Sequence, residues 1–423
     1  MDRKVYDTYT ALLNSELKMA TGCTEPIAIA YAGARLRQVL GAIPEHCTVY
    51  CSGNIVKNVF AVTVPNSGGA KGIDTAALLG IIGGDADYVL DVLHAVTPED
   101  VELMNKLLAE KICDCELVEG VENLYIRIEA EHGSDTALVE IKDYHSNITR
   151  IEKNGEVLFN AEEEANQASS IDKTLLNVKD IFEYANTVNL DDVRDVLLNQ
   201  VKCNSAIAEE GLKNPWGSQV GRTIYEHDMG KSVWNKARAY AAAGSDARMN
   251  GCPMPVVINS GSGNQGITVS MPVYVYATDL GIEEDKMLRA LALANLISLH
   301  QKRYIGSLSA YCGAISAATA SACGVAYMLG GDYALICDVI TNSINTTGGM
   351  VCDGAKSSCA AKIATALDMA LLAYEMSQKK RVFMPGEGLV EDNIEETIAN
   401  VGRMGRDGMK STDVEILKIM LGK

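Results

Sequence analysis

Three cysteines in the C-terminal half of the chain have the surroundings expected of iron–sulfur ligands. Cys312, Cys352 and Cys359 lie beside or near glycine, among small residues. On one continuous helix Cys352 and Cys359 would stand roughly 10 Å apart, since each residue adds about 1.5 Å of rise. The two can share a compact cluster only if Cys352 lies in a loop and a helix begins between them. We predict that arrangement, with Cys312 supplied by a second helix.

The residues between the second and third of these cysteines permit such a loop. Gly354 loosens the chain, and Asp353, Ser357 or Ser358 can cap a helix that includes Cys359. Three thiolates on a four-iron cluster leave one iron open. An open iron is a Lewis acid that can bind a substrate thiol or hydroxyl and make it a better leaving group. The alternative is three structural cysteines, because free cysteine is often buried and the spacing is not that of paired CxxC motifs.

A fourth cysteine, Cys23, has the position of a reactive thiol. Gly22 and Pro26 break the chain on either side of it, and Pro26 is tolerated in the first turn of a predicted helix over residues 27–40. The backbone N–H groups and the dipole at a helix start favour a thiolate. The sequence therefore allows either a reactive thiolate or an inert loop cysteine at this position.

Taken together, three motifs resemble the L-cysteine desulfidase family, which is related to the alpha domain of iron–sulfur L-serine dehydratases. The motifs are Thr21-Gly22-Cys23-Thr24-Glu25-Pro26, Ser307-Leu308-Ser309-Ala310-Tyr311-Cys312-Gly313 and Cys352-Asp353-Gly354-Ala355-Lys356-x-x-Cys359-Ala360-x-Lys362. The resemblance extends from Thr21 to Thr412-Asp413. It implies a lyase that converts L-cysteine to pyruvate, ammonia and hydrogen sulfide. It further implies a [4Fe-4S] cluster with one open iron on Cys312, Cys352 and Cys359, and Cys23 as the base that removes the α-proton.

L-Serine is the close alternative substrate, because an open iron would serve a hydroxyl as well as a thiol. The Cys23 motif favours cysteine, since the resemblance connects that motif to the desulfidases. A non-catalytic iron–sulfur protein that senses redox state by cysteine oxidation is an alternative of another class. No lysine has a distinctive context for a pyridoxal phosphate Schiff base, so we expect no PLP.

A glycine-rich loop over residues 65–72 is a candidate site for the substrate carboxylate. It connects a predicted strand to a predicted helix over 73–82, and it lacks the P-loop spacing. Its backbone N–H groups could bind an anion, with charge added by lysine. The predicted binding residues are Ser67, Gly68, Gly69 and Lys71. The alternative is a tight turn that needs its glycines for geometry.

A second glycine-rich loop follows residues 255–258 and contains Gly261, Gly263 and Gly266 in GxGxxG spacing. This spacing raises the alternative of an NAD-dependent oxidoreductase. We expect no NAD, because the helix start that follows is weak and the required acidic residue is not evident. The loop echoes Asn66–Ile73, which predicts two similar strand–loop units facing one pocket. Asn264 and Gln265 are thus candidate substrate ligands.

Three cationic residues near these motifs are further candidates. Arg248 could bind the substrate carboxylate or form a structural salt bridge. Lys302 and Lys356 could hold the carboxylate or balance the cluster's charge, and Lys356 is included among the predicted substrate-binding residues. The other eight cysteines are expected to be structural.

The elements that position these residues predict an α+β fold, with an N-terminal α/β part containing a mixed sheet and a mainly α-helical C-terminal cluster-binding domain. Residues 47–64 alternate and are β-branched, which predicts a strand pair turned at Gly53-Asn54. Further strands are predicted over 115–130 and 136–153, helices over 3–19, 99–111, 176–213, 283–378 and 391–420, and a polar linker over 162–170. The predicted domains are 1–165, a connecting segment 166–272, and 273–423.

Composition restricts the partners and the compartment. The net charge of −18 over 423 residues opposes nonspecific binding to nucleic acid or to an anionic membrane. Twelve cysteines in a large chain with a charged start and no apolar signal segment indicate a reducing cytoplasm. The uncharged run over 304–331 contains mostly small residues, which predicts a buried helix or helix pair and no membrane span. We expect a small amino acid as partner, with a homodimer as the assembly to test.

Overall fold

The computed structural model describes residues 1–161, 171–306 and 308–422. Within them the predicted α+β fold is confirmed, with a mixed sheet in the N-terminal part and helices in the C-terminal part. The predicted linker over 162–170 and the predicted boundary after residue 165 lie outside the described residues. The predicted boundary after residue 272 falls inside a helix.

The strands are β1 (Met19–Thr21), β2 (His46–Ser52), β3 (Cys113–Val118), β4 (Tyr125–His132), β5 (Asp135–Lys142), β6 (Ile148–Lys153), β7 (Glu156–Asn160) and β8 (Pro255–Val257). The helices of the first half are α1 (Arg3–Glu16), α2 (Thr24–Leu40), α3 (Gly53–Val59), α4 (Ile73–Gly83), α5 (Pro98–Glu110), α6 (Val178–Thr187) and α7 (Arg194–Lys213). Those of the second half are α8 (Val220–Asp228), α9 (Val233–Met249), α10 (Gly263–Asp279), α11 (Glu284–Ile305), α12 (Gly313–Met328), α13 (Tyr333–Thr347), α14 (Cys359–Gln378), α15 (Ile394–Arg403) and α16 (Lys410–Met420).

Six strands form one sheet in the order β3-β2-β4-β5-β6-β7. β2 and β3 are parallel, and the other neighbours are antiparallel. Tight turns follow β4 and β6, with His132 paired to Asp135 and Lys153 paired to Glu156. Alternate residues of β4 and β5 are buried and pack against α2, as the two-residue period of a half-buried sheet requires.

The predicted strand pair over 47–64 is wrong in its second half. The chain forms β2 and then turns into α3, so Gly53 begins a helix and not a hairpin. The β-branched residues favour a strand locally, but contacts with the C-terminal helix α16 decide the outcome. Gly53 packs against Leu417, and the buried Lys57 binds Asp413 at 2.5 Å. Contacts with the far end of the chain therefore override the local preference.

The uncharged run over 304–331 is confirmed as a buried helical region. Nearly every residue of α12 is buried, because alanine, serine and glycine allow α10, α11 and α14 to pack closely around it. In the chain as described, no helix combines the length and hydropathy needed to cross a membrane. The predicted succession of helices over 283–378 is also confirmed.

A small two-stranded sheet connects the beginning of the chain to its middle. β1 pairs antiparallel with β8, so Thr21 lies opposite Pro255. The segment after β1 contains Cys23, and the segment after β8 contains the Gly261 loop. That loop leads into α10, a 17-residue helix, so the expected weak helix start is wrong. Because β8 belongs to an antiparallel pair, the loop lacks the parallel βαβ context of a dinucleotide site.

Candidate active site

Cys312 and Cys352 are brought together by a short backbone pairing. Tyr311 and Val351 form an isolated antiparallel bridge. On either side of it, the Cys312 N–H donates to the Met350 carbonyl at 3.0 Å and the Cys352 N–H donates to the Ala310 carbonyl at 2.7 Å. Cys312 is therefore the N-cap residue of α12. It stands immediately before the first turn of the helix that was predicted to supply it.

The predicted arrangement of the other two cysteines is confirmed. Cys352 lies in a loop, and Cys359 is the first residue of α14. Gly354 makes the loop possible, because its φ is +94° and a Cβ there would stand 2.3 Å from the Lys57 carbonyl oxygen. The Cys359 Sγ points back at the Gly354 carbonyl at 3.8 Å. The loop thus folds against α3 and returns the third sulfur to the first two.

Cationic side chains surround these sulfurs. Contact with the Cys312 thiol lowers the pKa of Cys352, burial opposes this effect, and the charges of Lys57 and Lys362 reinforce it. Burial lowers the pKa of Lys302 to about 8, against the attraction of Cys352 and Cys312. Lys362 also binds Asp353 and donates to the Val351 carbonyl at 2.8 Å. The lysine charges therefore favour a thiolate at Cys352, whereas contact with Cys352 raises the pKa of Cys312 and burial raises the pKa of Cys359.

Cys23 occupies the predicted position before a helix, as the N-cap of α2. The sequence allows either a reactive thiolate or an inert thiol at this position, and the resting side chain is a thiol. Burial raises the pKa of Cys23, and the neighbouring Glu25 carboxylate raises it further. The Cys23 Sγ donates to the Glu25 Oε2 at 3.0 Å. A buried carboxylate two residues away outweighs the helix terminus, so the resting thiol is protonated.

Glu25 is the residue that connects Cys23 to the other polar side chains around it. Burial by itself would raise the pKa of Glu25, but His145 and the Cys23 thiol lower it below the usual range. The Asn58 Nδ2 donates to the Glu25 Oε1 at 3.0 Å, and the His145 Nε2 lies 3.8 Å from the same oxygen. The distance to His145 fits charge attraction and exceeds that of a hydrogen bond. The carboxylate is thus held ionised beside the Cys23 thiol.

The pairing of β1 with β8 brings the Gly261 loop next to the segment that contains Cys23 and Glu25. The Thr24 Oγ1 donates to the Gly261 carbonyl at 3.0 Å, which attaches the start of α2 to the loop. α10 begins beyond the loop, and its first turn contains Asn264 and Gln265. Both predicted ligands therefore lie near Cys23.

Arg248, at the C-terminal end of α9, is a buried cation. Its side chain is 2% exposed, and in the described ranges no carboxylate lies within 4.0 Å of it. Its Nε has no hydrogen-bond partner. A Cβ on Gly263 would stand 2.3 Å from that nitrogen, so glycine leaves room for the guanidinium. A buried unpaired charge is costly, and such a site is suited to an anionic ligand.

Most of these groups line one cavity of about 110 Å³, here called the inner cavity. Among its lining residues are Cys23, Glu25, Asn58, His145, Arg248, Asn264, Gln265, Lys302, Cys312, Cys352 and Cys359. Five polar atoms of the lining are buried without a partner in the part of the chain described: Asn58 Oδ1, His145 Nε2, Arg248 Nε, Asn264 Oδ1 and Gln265 Oε1. Buried polar atoms normally have partners, so this set indicates a ligand site.

The first glycine-rich loop does not line the inner cavity. Ser67 is buried, but its hydroxyl donates to the Val64 carbonyl at 2.7 Å within its own loop. Gly68, Gly69 and Lys71 are exposed to solvent. Of the two similar loops predicted to face one pocket, only the second lines this cavity, and a substrate role for the first stays a prediction.

Lys356 also lies outside the lining. Its Nζ binds the Asp353 carboxylate at 2.5 Å and donates to the Asp353 carbonyl at 3.1 Å. It therefore braces the Cys352 loop, and its substrate role stays a prediction.

Sequence reasoning missed Glu25, Asn58 and His145 as site residues. Glu25 stands in the Cys23 motif, where a carboxylate two residues from a thiol could have been noticed. Asn58 was missed because residues 47–64 were predicted to form a strand pair. His145 lies in the loop after β5, and its neighbours in the sequence do not indicate a functional site.

The three cysteines suit a cluster better than a single ion. No group of three His, Cys, Asp or Glu residues in the described segments could hold one metal ion. An iron–sulfur cluster spreads its cysteine ligands over several irons, so its sulfurs need not meet at one point. A wall with three cysteines and three nearby lysines fits such a group by the chemistry of its donors and its charge.

Comparisons with known proteins agree over almost the whole chain. The family model described as serine dehydratase alpha chain matches residues 87–418. A UPF0597 protein of Lachnoclostridium phytofermentans is 47% identical over 99% of this chain and 100% of its own. UPF0597 proteins of Finegoldia magna and Treponema denticola are 48% and 45% identical, over 98% and 100% of this chain and 99% of each relative. The chain belongs to the serine dehydratase alpha chain family.

Proposed function

We propose that the protein is an iron–sulfur-dependent lyase that converts L-cysteine to pyruvate, ammonia and hydrogen sulfide by α,β-elimination. One observation carries the proposal. The inner cavity joins an uncompensated Arg248, the hydrogen-bonded pair Cys23–Glu25 and three cysteines on a cationic wall. These groups correspond to the three parts of the reaction, namely the binding of the amino acid, the removal of its α-proton and the departure of its β-substituent.

The polar atoms without partners match an α-amino acid. Arg248 offers a guanidinium to the carboxylate, in a geometry that allows two parallel hydrogen bonds. The amide oxygens of Asn58, Asn264 and Gln265 are acceptors, and an ammonium group has three donors for them. Two points of attachment fix the orientation of the Cα–H bond, which supplies the proximity part of catalysis.

Cys23 and Glu25 would handle the α-proton. The resting Cys23 thiol donates to Glu25, so it becomes a base once its proton passes to that carboxylate. The thiolate removes the α-proton as the β-substituent leaves, which gives 2-aminoacrylate. Tautomerisation and hydrolysis of this enamine yield pyruvate and ammonia. Burial excludes bulk water from the thiolate, since Cys23 is 2% exposed.

Cys312, Cys352 and Cys359 would hold the [4Fe-4S] cluster. When bound, the cluster would supply an open iron as a Lewis acid for the substrate's thiol or hydroxyl. Lys57, Lys302 and Lys362 lie close enough to influence the charge of these sulfurs or to respond to it. Their charge would offset that of the thiolates and of the departing anion.

L-Serine dehydration is the second candidate function. The observation that favours it is the match to the serine dehydratase alpha chain model over residues 87–418. The same cavity residues would act in the same way, and water would leave in place of sulfide.

The test is a comparison of substrates with protein reconstituted anaerobically with iron and sulfide. Pyruvate, ammonia and released sulfide are measured with L-cysteine, L-serine and, as a stereochemical control, D-cysteine. We expect equal amounts of sulfide and pyruvate from L-cysteine, less pyruvate from L-serine and none from D-cysteine. A protein that binds iron yet releases no pyruvate from any of the three is not this lyase.

A further inference from the structure

A second, larger cavity of about 860 Å³ adjoins the inner cavity. It is here called the outer cavity, and its wall is formed by the end of α1, the loop after β5 and the end of α11. The two cavities share four lining residues, His145, Ser260, Gly261 and Lys302. These residues form the partition between the proposed active site and the outer cavity.

Among the four shared residues, His145 has an imidazole that can carry a proton, and the proposed function gives it no role. It is 8% exposed, and its Nε2 is buried with no hydrogen-bond partner among the residues that the structure describes. This nitrogen lies 3.8 Å from the Glu25 Oε1, on the carboxylate that accepts the Cys23 thiol. The ring lies close to Gly261, because a Cβ there would stand 3.3 Å from the Nδ1 and Cε1 atoms. The imidazole is thus the next group after Glu25 in a line from Cys23 to the outer cavity.

We propose that His145 is a proton-transfer residue that connects the Cys23–Glu25 pair to the outer cavity. The inference deepens the proposed function and rests on it. The thiol proton passes from Cys23 to Glu25 and then to the Nε2 of His145, which leaves a Cys23 thiolate and an imidazolium beside a carboxylate. The 3.8 Å gap closes by rotation of the ring or through one water, as is common before substrate binds.

The transfer is balanced in protons and requires no oxidant or reductant. The imidazolium releases its Nδ1 proton to water in the outer cavity, and the ring regains its starting tautomer, with Nε2 unprotonated, by proton exchange with that water. The Cys23 thiolate takes up the α-proton of the substrate. The hydrosulfide that leaves takes one proton from water. Other titratable or charged side chains on the two cavity walls can influence the transfer, namely Glu16, Lys18, Cys23, Glu25, Asp143, Tyr144, Lys173, Arg248, Lys302, Arg303, Tyr304, Tyr311, Cys312, Cys352 and Cys359.

The test uses two variants of the reconstituted, full-length protein. In His145→Ala the base is absent but leaves a space that opens towards the outer cavity. We expect kcat to fall about tenfold or more and to recover in part when imidazole is added. His145→Gln retains much of the volume but cannot carry a proton, so kcat should fall with little change in KM and without rescue by imidazole.

His300→Ala is the matched control. His300 is also buried and also binds a glutamate, Glu395, at 2.6 Å, but it does not line either cavity. Any activity lost in this variant should not return with imidazole. Iron content and the melting temperature of every variant are measured alongside.

Two results would overturn the proposal. One is full kcat in His145→Gln. The other is a folded, iron-loaded His145→Ala variant whose lost activity imidazole does not restore. If His145→Ala does not fold, the kcat and KM of His145→Gln decide alone. Absence of turnover in the wild type would refute the proposed lyase, whereas turnover that survives in His145→Gln would refute only the proton-transfer role.

Discussion

At the scale of single residues, the site contains buried groups whose electrostatic free energy is unfavourable, and a bound substrate can lower it. Arg248 is buried and has no counter-ion in the described part of the chain, and the Cys23 thiol donates its proton to an ionised carboxylate. The burial of Arg248 is not explained by folding, because an unpaired buried cation opposes folding. Both are explained if an amino acid supplies a carboxylate to Arg248 and an α-proton to Cys23.

Replacement of Arg248 by methionine separates binding from stability. Loss of a charge-assisted contact of about 1.5–3 kcal/mol should raise KM for L-cysteine roughly tenfold to a hundredfold. The unliganded protein should unfold at the same or a higher urea concentration, since an uncompensated charge is removed. The measurements are steady-state kinetics and urea unfolding.

Arg238→Met is the control for this variant. Arg238 lies on the same helix, α9, but it binds Asp368 at 3.1 Å. Its replacement should leave KM unchanged. Strong destabilisation by Arg248→Met with an unchanged KM would show that Arg248 is structural.

Glu25→Gln tests the origin of the raised pKa of Cys23. Burial is the largest cause and the Glu25 charge is the next, so removal of that charge should lower the pKa of the thiol. A rate that needs the thiolate rises with pH towards the pKa of the thiol, so the rising limb should move to lower pH. The maximum rate should fall because the proton acceptor is lost.

The measurement is the pH profile of kcat/KM, corrected for ionisation of free L-cysteine. A limb that stays in place would show that Glu25 does not act on Cys23, and an undiminished maximum would show that it accepts no proton.

At the scale of elements, three short backbone devices gather the site. The pairing of β1 with β8 places Cys23 beside the Gly261 loop, and the bridge between Tyr311 and Val351 places Cys312 beside Cys352. The third is the turn at Gly354. Each of these three features involves few residues, so one substitution that shifts the backbone there should move the site residues apart.

Gly354→Ala and Gly349→Ala form a matched pair of tests. Both glycines have positive φ, +94° and +100°, but a Cβ at 354 would stand 2.3 Å from the Lys57 carbonyl oxygen while a Cβ at 349 meets nothing within 4 Å. Gly349→Ala should cost only the strained conformation, about 1–2 kcal/mol, and bind iron normally. Gly354→Ala should cost about 2–5 kcal/mol and lose iron.

Iron content and urea unfolding check the two variants together. Equal iron content in both would mean that the close approach of the loop to α3 does not position Cys352.

At the scale of the whole molecule, the C-terminal helix supports the cysteine wall from behind. Asp413 of α16 binds Lys57 of α3, and Lys57 lies against the Cys352 loop through its backbone and its charge. The first and last parts of the chain therefore meet behind the site. The resemblance to the L-cysteine desulfidase family ends at Thr412-Asp413, so its last residue takes part in this contact behind the site.

Asp413→Asn should destabilise the protein strongly. Removal of one partner leaves a buried charge, for which the typical cost is about 3–5 kcal/mol. The double variant Lys57→Met, Asp413→Leu should recover most of that loss, because it buries no charge. Asp7→Asn, which breaks an exposed pair with Arg3, should change the free energy of unfolding by less than about 1 kcal/mol. Urea unfolding of all three decides, and a double variant no more stable than Asp413→Asn would contradict this account.

Local signals in the sequence predicted local features. The helix that begins at Cys359, the N-cap position of Cys23 and the turn after β4 all follow from neighbouring residues. Convergence over long separations could not be predicted in this way. α3 was mistaken for a strand because its partner Asp413 lies 356 residues away from Lys57. His145 joins the site only because the sheet and α2 pack together.

The most direct measurement is iron–sulfur reconstitution followed by turnover in a set of cysteine variants. Cys312→Ala, Cys352→Ala and Cys359→Ala should lose the visible absorbance of the cluster and the release of sulfide from L-cysteine. Cys23→Ala should keep the absorbance and lose turnover, and Cys323→Ala, which removes a buried cysteine of α12, should keep both. A wild-type protein that takes up no iron under anaerobic conditions, or a Cys352→Ala variant with full cluster and full activity, would contradict the central claim.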